Sequence, residues 1–380
     1  MSPANIQRRA LVDGRILTDG ALRDGLGVVV EGARIAAVVP MRDLPADLPR
    51  TSLAGGLLLP GFIDTQVNGG GGALFNDAPT VETIAAIGAA HRRFGTTGFL
   101  PTLISDDLAT VARALTATRA AIAADVPGVL GIHVEGPFLN TKRRGIHDAS
   151  RLRGVDAEAL ALLTAPGPGR VLVTLAPDIV DDAAIRALVA AGHTDATCAR
   201  MEQGFAAGIT GITHLFNAMS PLTSREPGVV GAALAGTSWC GIIVDGRHVD
   251  PLTLRIALAA RRDEGFMLVT DAMPCVGSDA VTFELQGKTI SVRDGACYDL
   301  GGRLAGSNLD MAAALRNAVG MLGVDLAAAS RMASGNPAAF MGLADTTGRI
   351  APGLRADLVL LDETLTVRDT WIGGVSSGAA

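Results

Sequence analysis

Between residues 55 and 347 the chain repeats one unit: an apolar run of strand length, a polar residue where the run ends, then an alanine-rich segment. Eight such runs can be placed, over 57–68, 96–104, 129–138, 171–177, a short one reaching His193, 209–217, 240–249 and 266–274. The segments between them, such as 81–95, 107–124, 181–192 and 251–265, carry apolar residues near i, i+3 and i+4 with a polar opposite face, the spacing of amphipathic helices. Strand and helix alternating eight times over a stretch of this length fit a TIM (β/α)8 barrel. Such barrels gather their reactive groups at the C-terminal ends of the strands, so the residue that closes each apolar run decides the chemistry.

The stretch HVEGPF, residues 133–138, closes the third run and stops at Gly136 and Pro137, which delivers Glu135 to the strand end. A carboxylate there is costly to bury unless it meets a cation or a metal. His193, His214 and Asp271 close later runs in the same way. One carboxylate and two imidazoles form a standard catalytic zinc set with a position left open for water, and the fourth residue, Asp271, is placed to take that water's proton. The same ligand types also serve non-haem iron oxygenases, so the ligands alone leave the reaction open; a barrel with a further carboxylate favours hydrolysis. The bland alternatives are a buried ion pair for Glu135, hydrogen-bonded core histidines for His193 and His214, and a helix N-cap for Asp271. His133 reads as a core or supporting residue, His91 as lying on the exposed side of its helix, and Gly69–Gly72 as a flexible loop that lacks the order of a nucleotide cradle.

Outside the repeat, residues 1–54 and 348–380 hold short β-like pieces, among them a hairpin signal at Glu31 and Gly32. Neither end can cover its own sheet, so the two are expected to combine into one small discontinuous β domain, with the barrel over 55–347. The segment after Asp271, from 281 to 307, reads as added β structure, and insertions of this kind decorate the catalytic face. A net charge of −6 without a Lys/Arg stripe, beyond Lys142, Arg143 and Arg144, argues against nucleic acid. No apolar run approaches a membrane span and the start lacks the apolar core of a signal peptide, so a cytoplasmic protein is expected. Cys198, Cys240, Cys275 and Cys297 form no CxxC pair and read as free thiols.

Several stretches together resemble the amidohydrolase superfamily, and within it the N-acetylglucosamine-6-phosphate deacetylases: LLPGFID leading to Gln66 and Asn68, GTTGFLPTLI, GIHVEGPFLN, GHTDAT, GITHLFNAM, REPGVVGAAL, VDGRHVD, LVTDAM, SGNPAAFMGL and GRIAPGLRADLVLLD. The resemblance spans almost the whole chain. It implies a barrel of the metal-dependent amidohydrolase type that hydrolyses an acetamide to glucosamine 6-phosphate and acetate. Many relatives carry a His-x-His pair on the first strand for a second metal; here Gln66 and Asn68 stand there, which points to one divalent ion per subunit, zinc or alternatively iron or another divalent metal, held by Glu135, His193 and His214. It further implies Asp271 as general acid/base, His147 polarising the acetyl carbonyl, and Asn217, Ala218, Arg225 and His248 around the sugar phosphate, with backbone N–H groups near Asn217 and Ala218 as donors. The arginine reaches a neighbouring subunit's substrate in related enzymes, so a homodimer is implied. Taken as bland loop residues, His147, His248 and Arg225 would have no such roles. The competing functions are hydrolysis of an N-acyl amino acid or a different amino sugar, and a metal-free binding or assembly protein.

Overall fold

The computed structural model describes residues 8–186, 190–261 and 265–379. Eight parallel strands lie side by side in sequence order, β1 (Phe62–Val67), β2 (Thr96–Ile104), β3 (Gly131–Glu135), β4 (Arg170–Leu175), β5 (Ala190–Ala191), β6 (Gly211–Ile212), β7 (Trp239–Ile242) and β8 (Phe266–Leu268). The expected TIM barrel is therefore observed, and its last seam is closed by few contacts. Val67 bridges Ala272 in parallel, the Asn68 N–H donates to the Ala272 carbonyl at 2.9 Å, and the Asp271 N–H donates to the Gln66 carbonyl at 3.0 Å. Below these, the buried Asp64 carboxylate accepts from the Thr270 hydroxyl at 2.5 Å and from the Gln66 N–H at 3.1 Å, tying β1 to the chain just beyond β8.

The helices start where short polar residues satisfy the free N–H groups of a first turn. Thr80, Asp107, Asp156, Thr197 and Asp310 each accept from the N–H three residues on. Their apolar faces and the outward faces of the strands form one large core. The expected helix over 181–192 is helical over Asp182–Ile185, and 187–189 lie outside the described residues; so do 262–264 of the expected helix over 251–265, which is helical over Pro251–Arg261.

Both chain ends contribute to one six-stranded sheet. Leu57–Pro60 pairs antiparallel with Leu358–Leu361 and parallel with Arg15–Thr18, while an N-terminal sheet of four strands packs against it around Leu11, Ile16, Val28, Ile35 and Trp371. The apolar stretch 57–68, expected as one barrel strand, is thus two strands that part at Gly61. Its first half serves the end sheet and its second half the barrel. Gly61 permits the change of sheet because a Cβ there would lie 2.2 Å from the Thr97 side chain. The 281–307 segment forms an antiparallel sheet of four strands, as expected, packed on Leu74, Ile104, Ile146 and Met273 above the ends of β1, β2 and β8.

Two further expectations are corrected. His91 is fully buried, with Nε2 2.9 Å from the Gly69 carbonyl. It lies one heptad beyond Ile84, on the inner face of the helix Val81–Arg92, and the flanking Arg92 and Arg93 disguise that periodicity. Gly69–Gly72 is no loose loop either: Gly69 and Gly70 pair with Ala73 and Leu74, and a Cβ on Gly70 would lie 2.8 Å from the His91 ring.

Burial pushes the His91 pKa down to about 4, below its ordinary value of 6.5. As pH falls below 6.5 the unfolded chain takes up this proton and the folded one does not, so stability is intact above 6.5 and declines toward pH 4. His91→Gln keeps a donor for Gly69 and removes the titration. Between pH 8 and pH 5 the wild type should lose about 2 kcal/mol more than this variant in urea denaturation; equal losses would mean that His91 is not buried neutral.

Candidate active site

The C-terminal ends of the strands bring Glu135, His193 and His214 together. Glu135 Oε1 lies 3.0 Å from His214 Nε2 and 3.3 Å from His193 Nε2, and the two Nε2 atoms are 3.0 Å apart. All three residues are buried. His193 Nδ1–H donates to the Arg143 carbonyl at 2.9 Å, which leaves a lone pair on Nε2, the tautomer a metal requires. One carboxylate oxygen and two imidazole nitrogens converging this closely fit a divalent cation, and among the described residues this is the one cluster of three His, Cys, Asp or Glu side chains able to hold one.

Backbone geometry at the site is unusual. His193, His214 and Asp271 all adopt positive φ, at 49°, 31° and 52°, and so does Ala218 at 50°. Left-handed backbone costs a side-chain-bearing residue of order 1–3 kcal/mol and persists only where the surroundings enforce it. For Asp271 the enforcement is visible: its N–H donates to Gln66 and its carbonyl accepts from the Ser307 N–H at 2.9 Å, so barrel seam and inserted sheet clamp it from both sides.

The amides on β1 and just beyond it serve the carboxylates. Gln66 Nε2 donates to Glu135 Oε1 at 3.1 Å and to Asp271 Oδ1 at 3.2 Å, and Asn68 Nδ2 donates to Asp271 Oδ1 at 2.7 Å. Burial works against a charge on Glu135, but the two imidazoles set against it hold its pKa well below the ordinary carboxylate range. Burial first, and then the charge of Glu135, push Asp271 the other way, up to about 6. Two carboxylates in one cavity are thereby driven apart in proton affinity.

The other expected residues fall in two groups. His147 and the side chain of His248 are buried, and with Asn217, Ala218, Met273 and Gly306 they line a cavity of about 160 Å³ above Glu135, His193, His214 and Asp271. His147 Nδ1 accepts from the Ser105 N–H at 3.3 Å and lies 2.7 Å from Ser105 Oγ, so its proton sits on Nε2. Burial pushes its pKa down to about 3 and keeps it neutral. His248 Nδ1 is held by Asp245 Oδ2 at 2.6 Å. Arg225 is exposed on the loop 221–227 and does not line this cavity. The Asn217 N–H is spent on the His214 carbonyl at 3.0 Å, so of the two expected backbone donors the Ala218 N–H is the one with no acceptor among the described residues.

Sequence reasoning missed the supports. Ser105 follows the last residue of β2 and Asp245 stands three residues before His248, signals of the same kind that exposed Glu135. Gln286 gave none: from the turn of the inserted sheet its Oε1 accepts from the Asp148 N–H at 3.0 Å and its Nε2 donates to the Ser105 carbonyl at 2.7 Å, pinning the His147 loop. His133 is a buried support, as expected, between Thr102 and Thr174. The four cysteines are free, with Cys198 half-buried.

Residues 57–376 match the model of the amidohydrolase family, and residues 9–58 that of the NagA composite domain. An N-acetylgalactosamine-6-phosphate deacetylase of Shewanella sp. (strain ANA-3) is 43% identical over 96% of this chain and 95% of its own. The crystal structure of N-acetylglucosamine-6-phosphate deacetylase from Pasteurella multocida superposes with a TM-score of 0.95 at 33% identity, covering 97% of this chain and 99% of that one. A mutant of the Mycobacterium smegmatis N-acetyl-D-glucosamine-6-phosphate deacetylase in complex with N-acetyl-D-glucosamine-6-phosphate gives 0.89 at 33% identity, covering 97% and 99%. The chain belongs to the amidohydrolase family and is a metal-dependent hydrolase. Within that family it groups with the deacetylases of N-acetylated amino-sugar phosphates.

Gly136 ties the third strand end to this constellation. It has a φ of +86°, and a Cβ there would lie 2.3 Å from Ser105 Oγ, the partner of His147. Gly136→Ala should cost at least about 1 kcal/mol in chemical denaturation and lower kcat, because Ser105 must move; wild-type stability and turnover would mean that Ser105 does not fix His147.

Proposed function

We propose that this enzyme hydrolyses the acetamide of N-acetyl-D-glucosamine 6-phosphate to D-glucosamine 6-phosphate and acetate with one divalent ion, zinc before iron, per subunit. The observation that carries this reading is the convergence of Glu135, His193 and His214 beneath an amide-held Asp271 in one cavity. Bound by those three side chains, the ion supplies Lewis acidity to the amide carbonyl and acidifies water. Asp271 takes the proton of the attacking water and passes it to the departing amine nitrogen, a task suited to a carboxylate with raised proton affinity. The His147 Nε2–H, neutral and fixed by Ser105, donates to the oxygen on which charge develops. His248, the Ala218 N–H and Asn217 face the sugar phosphate. Arg225, exposed and outside the cavity of its own chain, supports the reading that it serves a neighbouring subunit, and hence a homodimer; a cytoplasmic location goes with the same proposal.

A second substrate is favoured by one observation. The Shewanella relative at 43% identity acts, by name, on the galactosamine epimer. Turnover of N-acetylglucosamine 6-phosphate, N-acetylgalactosamine 6-phosphate and unphosphorylated N-acetylglucosamine should be measured side by side, after chelation and again with zinc restored. Metal-dependent turnover that strongly prefers a phosphorylated sugar is expected, and the ratio between the epimers decides the substrate. If none of the three reacts in any metal state, the assignment fails.

Two substitutions separate the roles at the site. Asp271→Asn should keep metal content and substrate affinity while kcat falls about 10²–10⁴-fold; unchanged turnover would remove Asp271 from the mechanism. Glu135→Gln should lower the zinc bound per chain after dialysis, and full occupancy would break the ligand assignment.

A further inference from the structure

A second hollow, of about 350 Å³, opens beside the active-site cavity and shares Gly145 and Ala218 with it. Four of its seven lining residues are cationic: Lys142, Arg143, Arg144 and Arg303. Three come from the loop that carries His147, and the fourth from the inserted sheet segment on the opposite side. Asp195 is the one carboxylate in ion-pair contact with any of them among the described residues. It lies 2.9 Å from Arg143 Nε and 3.6 Å from Lys142 Nζ. Arg144 donates to the His147 carbonyl at 3.1 Å and Arg303 to the Gly145 carbonyl at 3.0 Å, so both guanidinium charges remain uncompensated. Asp299, near Arg303 in sequence, spends Oδ1 on the backbone N–H groups of Gly301 and Arg303.

A surplus of positive charge at the mouth of a cavity in a chain of net charge −6 needs a reason. The surface as a whole repels anions, and clefts lined by one sign of charge concentrate ligands of the other, by about 10–10³-fold in association rate. We propose that Lys142, Arg144 and Arg303 form an anion-capturing rim that draws the phosphate monoester of the substrate to the cavity mouth. The rim lies in the same chain as the site it feeds, and it is distinct from the end of the cavity lined by His248. It rests on the proposed phosphosugar substrate, while its charge acts on any phosphate monoester. Arg143 is a poorer candidate for this role, since Asp195 lies closer to its guanidinium than to Lys142 Nζ, at 2.9 Å against 3.6 Å, and its carbonyl orients His193.

The test compares the zinc-loaded wild type with Lys142→Gln, Arg303→Gln and the double variant. At low ionic strength the double variant should lose about tenfold in kcat/KM on the phosphorylated N-acetylhexosamine while kcat stays within about twofold. The difference should largely vanish at about 0.5 M salt, where screening lengths are only a few ångströms. Arg303→Lys, which keeps the charge, should restore most of the loss. Unphosphorylated N-acetylglucosamine should be turned over equally by all variants. Binding of glucosamine 6-phosphate and of inorganic phosphate, followed by ³¹P line broadening, should weaken in the double variant whether or not any sugar is hydrolysed. That measurement separates the rim from the reaction: weakened phosphate binding without turnover of any sugar would sustain the rim and sink the substrate assignment. Normal turnover with unchanged kcat/KM and phosphate binding would overturn the rim alone, as would an equal loss on the unphosphorylated sugar.

Discussion

A buried and a half-buried carboxylate share one amide. Gln66 Nε2 stands between Glu135 and Asp271, and most of what is specific about this barrel serves to keep those two acids close without letting them behave alike. Neither charge is stable in an apolar interior by itself. Glu135 is rescued by two imidazoles in contact with it and stays ionised, whereas Asp271, with amide donors and the charges of His214 and His248 for compensation, makes no ion pair of its own among the described residues and faces burial and the charge of Glu135, so a proton binds it more readily. A pair of acids separated in this way can divide labour between holding a cation and carrying a proton. The separation follows from position, since both side chains are carboxylates of the same intrinsic strength.

Position in turn depends on the seam. β8 is short, and the chain beyond it is bound to β1 by the Asp64–Thr270 contact and by the backbone bonds of Gln66, Asn68 and Ala272. Asp271 takes its left-handed backbone inside that seam, clamped on the other side by Ser307 of the inserted sheet. The same sheet sends Gln286 and Lys288 onto the His147 loop, where Lys288 Nζ donates to the Ile146 carbonyl at 3.0 Å. The insertion is thus structural support for both Asp271 and His147, which lie far apart in sequence.

How much of this could be read from the chain depends on range. Local signals were legible: strand ends closing on Glu135, His193, His214 and Asp271, the hairpin at Gly32, and β structure after Asp271. Legibility failed where the determinant was a tertiary contact. Gly61 divides one apolar run between two sheets because of a threonine on the neighbouring strand. His91 is buried because its helix packs on a glycine turn, and two adjacent arginines hide the face to which it belongs. The positive φ values of His193, His214 and Asp271 have only a weak sequence signature, since histidine and aspartate enter this region more often than other side chains but far less readily than glycine. Gln286 acts across 138 residues of chain to Asp148, a separation at which pattern reasoning has no purchase.

The amides at 66 and 68 also bear on how many cations the site holds. Imidazoles there would present lone pairs toward Glu135 and Asp271 and so extend the donor set. Gln66 and Asn68 instead present N–H groups to these carboxylates, at 2.7 to 3.2 Å. An N–H pointed at a carboxylate occupies the position from which a second cation would neutralise it, and it supplies part of the compensation that cation would bring. The proposed single ion on the side of Glu135, His193 and His214, with Asp271 left to titrate, follows from that exchange. A second ion near Gln66 would have to break three hydrogen bonds and would pin Asp271 in its charged form, removing the proton affinity that its burial creates.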